Sequence, residues 1–147
     1  MSAKVTVEVF QKINSEHQEL ERQYAAFDAF LSGELVRGPI LRRRLSELAF
    51  ILRRHFDHEE EGGYFKEMID MAPRLSRLAK KLESEHDQLL GRLEHLDDQL
   101  STTADVDEDF ARLKEETTEF IAACRAHEHH ETALVQEAWF TEIGTGD

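Results

Sequence analysis

Along four long stretches of this chain, apolar residues return at alternating steps of three and four. Side chains spaced this way line one face of an α-helix, whereas a strand needs alternation at every second position, and that alternation is absent throughout. The spacing therefore predicts an all-α protein whose helices each bury a single stripe. Leu, Glu, Arg and Ala dominate the sequence, and all of them suit helices.

The breaks between the stretches carry their own signals. Ser32-Gly33 ends a first helix over about 5–31. Pro39 suits the first turn of a second helix, expected over 39–70 with a break near Gly62-Gly63. Pro73 opens a third over 73–100. Asp105, Asp107 and Glu108 place acids at the N-terminus of a fourth over 106–139, and Thr141 to Asp147 read as a tail. At ~1.5 Å per residue these rods are ~40 to 50 Å long and match one another. Short links between matched rods predict an up-down-up-down four-helix bundle, with residues 1–147 forming one domain. The link near Ser101 to Asp105 has to absorb an offset of ~9 Å between the third and fourth helices.

Charge narrows the partners. The formal net charge is -13, from 31 acids against 18 bases, which repels phosphate backbones and anionic lipid heads; neither nucleic acid nor a membrane is expected as a partner. Arg42, Arg43, Arg44, Arg53 and Arg54 share one helix and read as a solvated face. No apolar run approaches the ~18 residues of a membrane span, and no secretion signal is visible. With one cysteine, Cys124, the expected setting is a reducing, cytoplasmic one, and Cys124 itself reads as a small packing residue.

The stripes are interrupted in a consistent way. Helix one gives Phe10, Ile13, His17, Leu20, Tyr24, Phe27 and Leu31; helix two gives Leu41, Leu45, Leu48, Leu52, His55 and Glu59. Helix three gives Leu75, Ala79, Leu82, His86, Leu89, Leu93, Leu96 and Leu100. Helix four gives Phe110, Leu113, Thr117, Phe120, Cys124, His127, Glu131, Leu134 and Ala138. Apart from Thr117 and the amphipathic Tyr24, the polar members are His17, His55, Glu59, His86, His127 and Glu131, all of metal-ligating type. Two unneutralised carboxylates in one core would cost several kcal/mol and raise each other's pKa, and bound cations remove that cost. His55 with Glu59 and His127 with Glu131 are i, i+4 pairs, so each pair can grip metal from one helix face. His58, His95, His129 and His130 fall off the stripe, as do Glu60, Glu61, Glu83 and Glu85. They are assigned to the surface or to positions behind the ligands.

The order His, His-x-x-x-Glu, His, His-x-x-x-Glu resembles the hemerythrin-like, or HHE cation-binding, family. The resemblance spans nearly the whole chain: His17, then HFDHEEEGGYF from His55, EHDQLL from Glu85, and HEHHETALVQEAWF from His127. It implies two iron ions bound by His17, His55, His86 and His127, bridged by Glu59 and Glu131 and by an oxo or hydroxo group. Imidazole and carboxylate donors without a thiolate cluster are consistent with iron or manganese. Oxygen-carrying hemerythrins place two histidines four apart on the third helix; here Leu82 and Leu90 flank His86 at those spacings. The resemblance thus implies one protein ligand fewer and one more position for water, dioxygen, peroxide or nitric oxide.

The function expected is that of a non-haem diiron protein that binds or reacts with such small oxidants. The competing reading is an iron-binding or structural protein without turnover. A ferritin-like oxidase fits less well, because that class uses lone glutamates and Glu-x-x-His pairs.

Overall fold

The computed structural model describes residues 3–34, 36–103 and 108–145, with side chains for 7–34, 36–103 and 108–139. All of its regular elements are helical: α1 (Ala3–Leu31), α2 (Gly38–Glu61), α3 (Tyr64–Met71), a 3₁₀ turn (Pro73–Leu75), α4 (Ser76–Thr102) and α5 (Glu108–Thr145). α2 packs on α1 and α4, and α5 packs on α1 and α4, so the four long helices close a ring; α3 touches all four.

Local chemistry explains the boundaries. Pro39 stands in the first turn of α2, where its missing N–H is no loss. α2 ends at the glycine pair because Gly63 takes a φ of +93°, a left-handed conformation that side-chain-bearing residues resist. A Cβ on the preceding Gly62 would also collide with the carbonyl oxygen of His58. The expected second helix is consequently two helices, with Tyr64, Phe65 and Met68 of α3 turned into the core.

Two expectations change at the chain's far end. The stretch read as a tail is helical through Thr145, since α5 continues past Trp139. α4 runs on to Thr102 and α5 starts at Glu108, which cuts the offset between His86 and His127 to about three residues, ~4.5 Å of helix. Asp105 and Asp107, expected near the start of the last helix, lie outside the described residues.

Every stripe residue read from the sequence is buried in α2, α4 and α5, as is Leu75 in the 3₁₀ turn; in α1, Phe10, His17 and Leu31 are half-buried. The apolar side chains form two clusters. One holds Leu20, Tyr24, Phe27, Leu52, Leu89 and Phe120 with their neighbours. The other is built on Ile13, Tyr64, Phe65, Met68, Leu82 and Leu134. In α1, α4 and α5 the candidate ligands fall between residues of the first cluster and residues of the second, and Glu59 of α2 lies between Phe56 of the first and Tyr64 of the second, so a polar layer divides the core.

Arg42 and Arg53 do more than face water. They reach α4, to Asp97 at 2.8 Å and Glu94 at 3.4 Å, while Arg44 lies over the ring of Phe30. Such exposed pairs add little to stability.

Candidate metal centre

The polar layer brings all six sequence-derived candidates together. Two groups of potential ligand atoms form, His17, His55, Glu59 and Glu131 in one, and Glu59, His86, His127 and Glu131 in the other, with the atoms of each group within 4.8 Å of one another. Glu59 and Glu131 belong to both groups. Each carboxylate thus stands between two imidazole pairs, one pair from α1 and α2, the other from α4 and α5.

The separations are close and consistent. His17 Nε2 lies 3.5 Å from Glu59 and 3.2 Å from Glu131. His55 Nε2 is 3.2 Å from Glu59. His86 Nε2 is 3.2 Å from Glu59 and 3.5 Å from Glu131, and His127 Nε2 is 3.2 Å from Glu131. Both glutamates are fully buried, and His17 is the only one of the six that is not buried, its side chain being 11% exposed.

The donor set fits a pair of cations. The four Nε2 atoms and all four carboxylate oxygens are buried without a well-formed hydrogen bond, an arrangement that is costly in a core unless something satisfies it. Two donors each ~2.1 Å from one ion and at right angles lie ~3 Å apart, close to the N···O separations seen here.

Without metal the same layer must hold protons. Burial pulls His17 and His86 down, but the facing carboxylates Glu131 and Glu59 outweigh it and raise both to about 10. His55 and His127 are raised on the same balance. Glu59 is held well below the usual carboxylate range, since its three imidazole neighbours overcome its burial. Glu131 is lowered too, against both burial and the charge of Glu59.

Behind the ligands lie groups that the stripe did not reveal. His55 Nδ1 donates to Glu16 at 2.8 Å, and His127 Nδ1 donates to Glu85 at 2.8 Å. Each bond settles which nitrogen carries the proton and leaves Nε2 free to face the carboxylates. Glu16 also meets His58 Nδ1 at 2.6 Å, and Glu60 approaches His86 Nδ1 at 3.5 Å. Glu85, His58 and Glu60 thus stand behind the ligands, as allowed; His95, His129 and His130 are exposed. Glu16 was missed, although a signal existed. Where the dipeptide Glu-His carries a stripe histidine, at Glu16-His17 and Glu85-His86, the glutamate, one step round the helix from the stripe, faces the next helix's histidine.

Glu128 was missed as well. It is buried, accepts a hydrogen bond from Tyr24 Oη at 2.9 Å, and is raised by burial to about 7. Tyr64 is buried over His17, their ring centroids 6.4 Å apart. Cys124 is buried and pushed up to about 12 by that burial, which suits a packing role.

Among the described residues, no helix is long and apolar enough to cross a membrane. The model of the hemerythrin HHE cation binding domain matches residues 8–139. No curated protein and no solved structure matches the chain.

Proposed function

The chain belongs to the hemerythrin HHE cation-binding family, and from that premise we propose that it is a non-haem diiron protein that binds or reacts with dioxygen, peroxide or nitric oxide. The observation that carries this reading is the sharing of Glu59 and Glu131 by two buried ligand groups. His17 and His55 would hold one iron and His86 and His127 the other, with Glu59 and Glu131 shared between the two and an oxo or hydroxo group expected to complete the pair. The scaffold is a single-domain, up-down-up-down four-helix bundle with α3 inserted after its second long helix. The lone, buried Cys124 suits a reducing cytoplasm, and the net charge of -13 leaves a small molecule as the partner in place of nucleic acid or membrane.

Bound iron supplies electrons and open coordination positions for a small oxidant. The chain's own residues set the conditions. Glu16 and Glu85 hold the Nδ1 protons of His55 and His127, which fixes those rings and makes Nε2 a better donor. Phe56 and Phe65 pack on His86 and keep water from that side. Leu82 is buried and Leu90 half-buried, so α4 offers one imidazole at the site. His17, in the other ligand group, is the partly exposed candidate, so water and protons have a way in at that edge, and clean reversible oxygen carriage is disfavoured.

Iron counting combined with air exposure tests the reading. Protein made with iron available should carry about two irons per chain, and Glu59→Ala or Glu131→Ala should lower that number. Admitting air to the anaerobically reduced protein should change its visible spectrum without recovery on degassing. One iron per chain, indifferent to both replacements, would falsify the bridged pair.

A second reading has its own support, because the ligand layer joins all four long helices exactly where the two apolar clusters part. There the iron would act as a staple. A two-iron protein whose reduced spectrum ignores air, peroxide and nitric oxide would favour it.

A further inference from the structure

A cleft of about 310 Å³ opens between α1 and α5 and ends on His17. Phe10, Ile13, Tyr64, Val135 and Trp139 form its apolar wall, and Gln11, Asn14, Thr132 and Gln136 add neutral polar groups. Among the described residues, no lining side chain apart from His17 is titratable near neutral pH. His17 is also the one candidate ligand that is not buried, so the cleft meets the metal layer at its accessible edge.

Its size is out of proportion to a diatomic molecule. At ~30 Å³ per water, the space would hold about ten waters, and ligand pockets for organic molecules begin near ~300 Å³. Phe10 stands edge-on to Tyr64 at 5.7 Å and to Trp139 at 6.3 Å, with interplanar angles of 89° and 78°. This gives a wall of ring edges and faces to which a flat or branched apolar body can pack.

We propose that this cleft binds an uncharged organic molecule with an apolar, ring-sized body and a hydroxyl or hydroperoxyl oxygen, the body on Phe10, Val135 and Trp139 and the oxygen toward His17. Charge selects the class. An anion meets a protein of net charge -13, with Glu59 and Glu131 directly behind His17 and no Lys or Arg among the described lining residues. A cation finds no carboxylate among the described lining residues to pair with. Neutral oxygen compounds lose least on leaving water for such a site. The orientation toward metal rests on the diiron reading; the binding of the apolar body does not.

Trp139 is the chain's single tryptophan and part of the wall, so its emission reports occupancy directly. The probe is 2-phenylpropan-2-ol, added to the full-length protein in metal-free and iron-loaded form, with calorimetry on the latter. A saturable emission shift is expected, with trimethylphenylammonium binding at least about tenfold more weakly. Val135→Phe and, separately, the exposed Gln136→Phe should each weaken alcohol binding about tenfold while far-UV circular dichroism stays unchanged. Competition by cumene hydroperoxide in the metal-free protein distinguishes the two oxygen heads, the tighter binder naming the class. Emission that never saturates, affinity untouched by both cleft-filling replacements, or equal binding of a charged probe overturns the proposal. Saturable binding alongside a failed iron count keeps the cleft and removes only the diiron reading.

Discussion

The imidazole of His86 lies flat on the ring of Phe56, with ring centroids 3.9 Å apart and planes inclined by 6°. Phe65 stands 5.6 Å from the same imidazole. A ring held between two others cannot turn freely, so Nε2 stays directed at Glu59 and Glu131 whether or not metal is present. Phe56→Leu keeps much of the volume and removes the stack. It should destabilise the metal-free protein by about 1 to 2 kcal/mol and speed loss of metal to a chelator. Denaturant melts and chelator kinetics check the two effects separately; slower metal loss in the variant would show that the stack does not hold His86.

Glu16 and Glu85 occupy equivalent places, each accepting the Nδ1 proton of a histidine on the neighbouring helix. Glu16→Gln and Glu85→Gln should each weaken metal binding by about 10- to 100-fold. The irons should respond unequally, since Glu16 loosens His55 and Glu85 loosens His127. Mössbauer spectra of the two variants should therefore perturb different iron sites. Identical spectra would remove the positioning role.

Stability of the metal-free protein should depend on pH in a defined sense. His17 and His86 rise from 6.5 to about 10 in the folded state, so their contribution is complete below 6.5 and is lost as pH climbs through 10. Burial raises Glu128 from 4.5 to about 7, and its contribution likewise falls as pH rises across that interval. Glu59 and Glu131 are depressed, so theirs is lost on acidification below 4.5. The metal-free protein should be most stable near about pH 5 and weaken steadily toward pH 10. Metal affinity should rise over the same range, because His17 and His86 must shed protons to bind. Denaturant midpoints and competitive metal titrations from pH 5 to 10 test both slopes; stability increasing from pH 6 to 9 would contradict the assignment.

Tyr24 and Glu128 form a buried pair at 2.9 Å beside the layer of candidate ligands. Tyr24→Phe leaves the Glu128 carboxyl without its donor and should cost about 1 to 3 kcal/mol. Glu128→Gln keeps an acceptor for the tyrosine and sheds a buried acid, so it should cost clearly less. Comparing denaturant midpoints of the two variants decides it, and a greater loss in Glu128→Gln would mean that the charge itself is needed.

Much of this protein was legible without coordinates because helical periodicity is a local property. Steps of three and four put Leu41, Leu45, Leu48, Leu52, His55 and Glu59 on one face whatever surrounds them, and all six are buried. Polar residues on such a face need partners, which is how His17, His55, Glu59, His86, His127 and Glu131 could be picked out together. Gly62-Gly63 also marked its own break, since a left-handed backbone is a local demand.

What only the tertiary structure decided depends on helices meeting. Spacing along one helix cannot say which imidazole pairs with which; the packing of α1 on α2 and of α4 on α5 separates His17 with His55 from His86 with His127 and sets both glutamates between them. Glu16, Glu85 and Glu128 lie one step off the stripe, where a residue faces water or a neighbouring helix according to that neighbour's position. The cleft beside His17 arises in the same way, from the distance kept between α1 and α5 around Tyr64, and no single segment of sequence contains that distance.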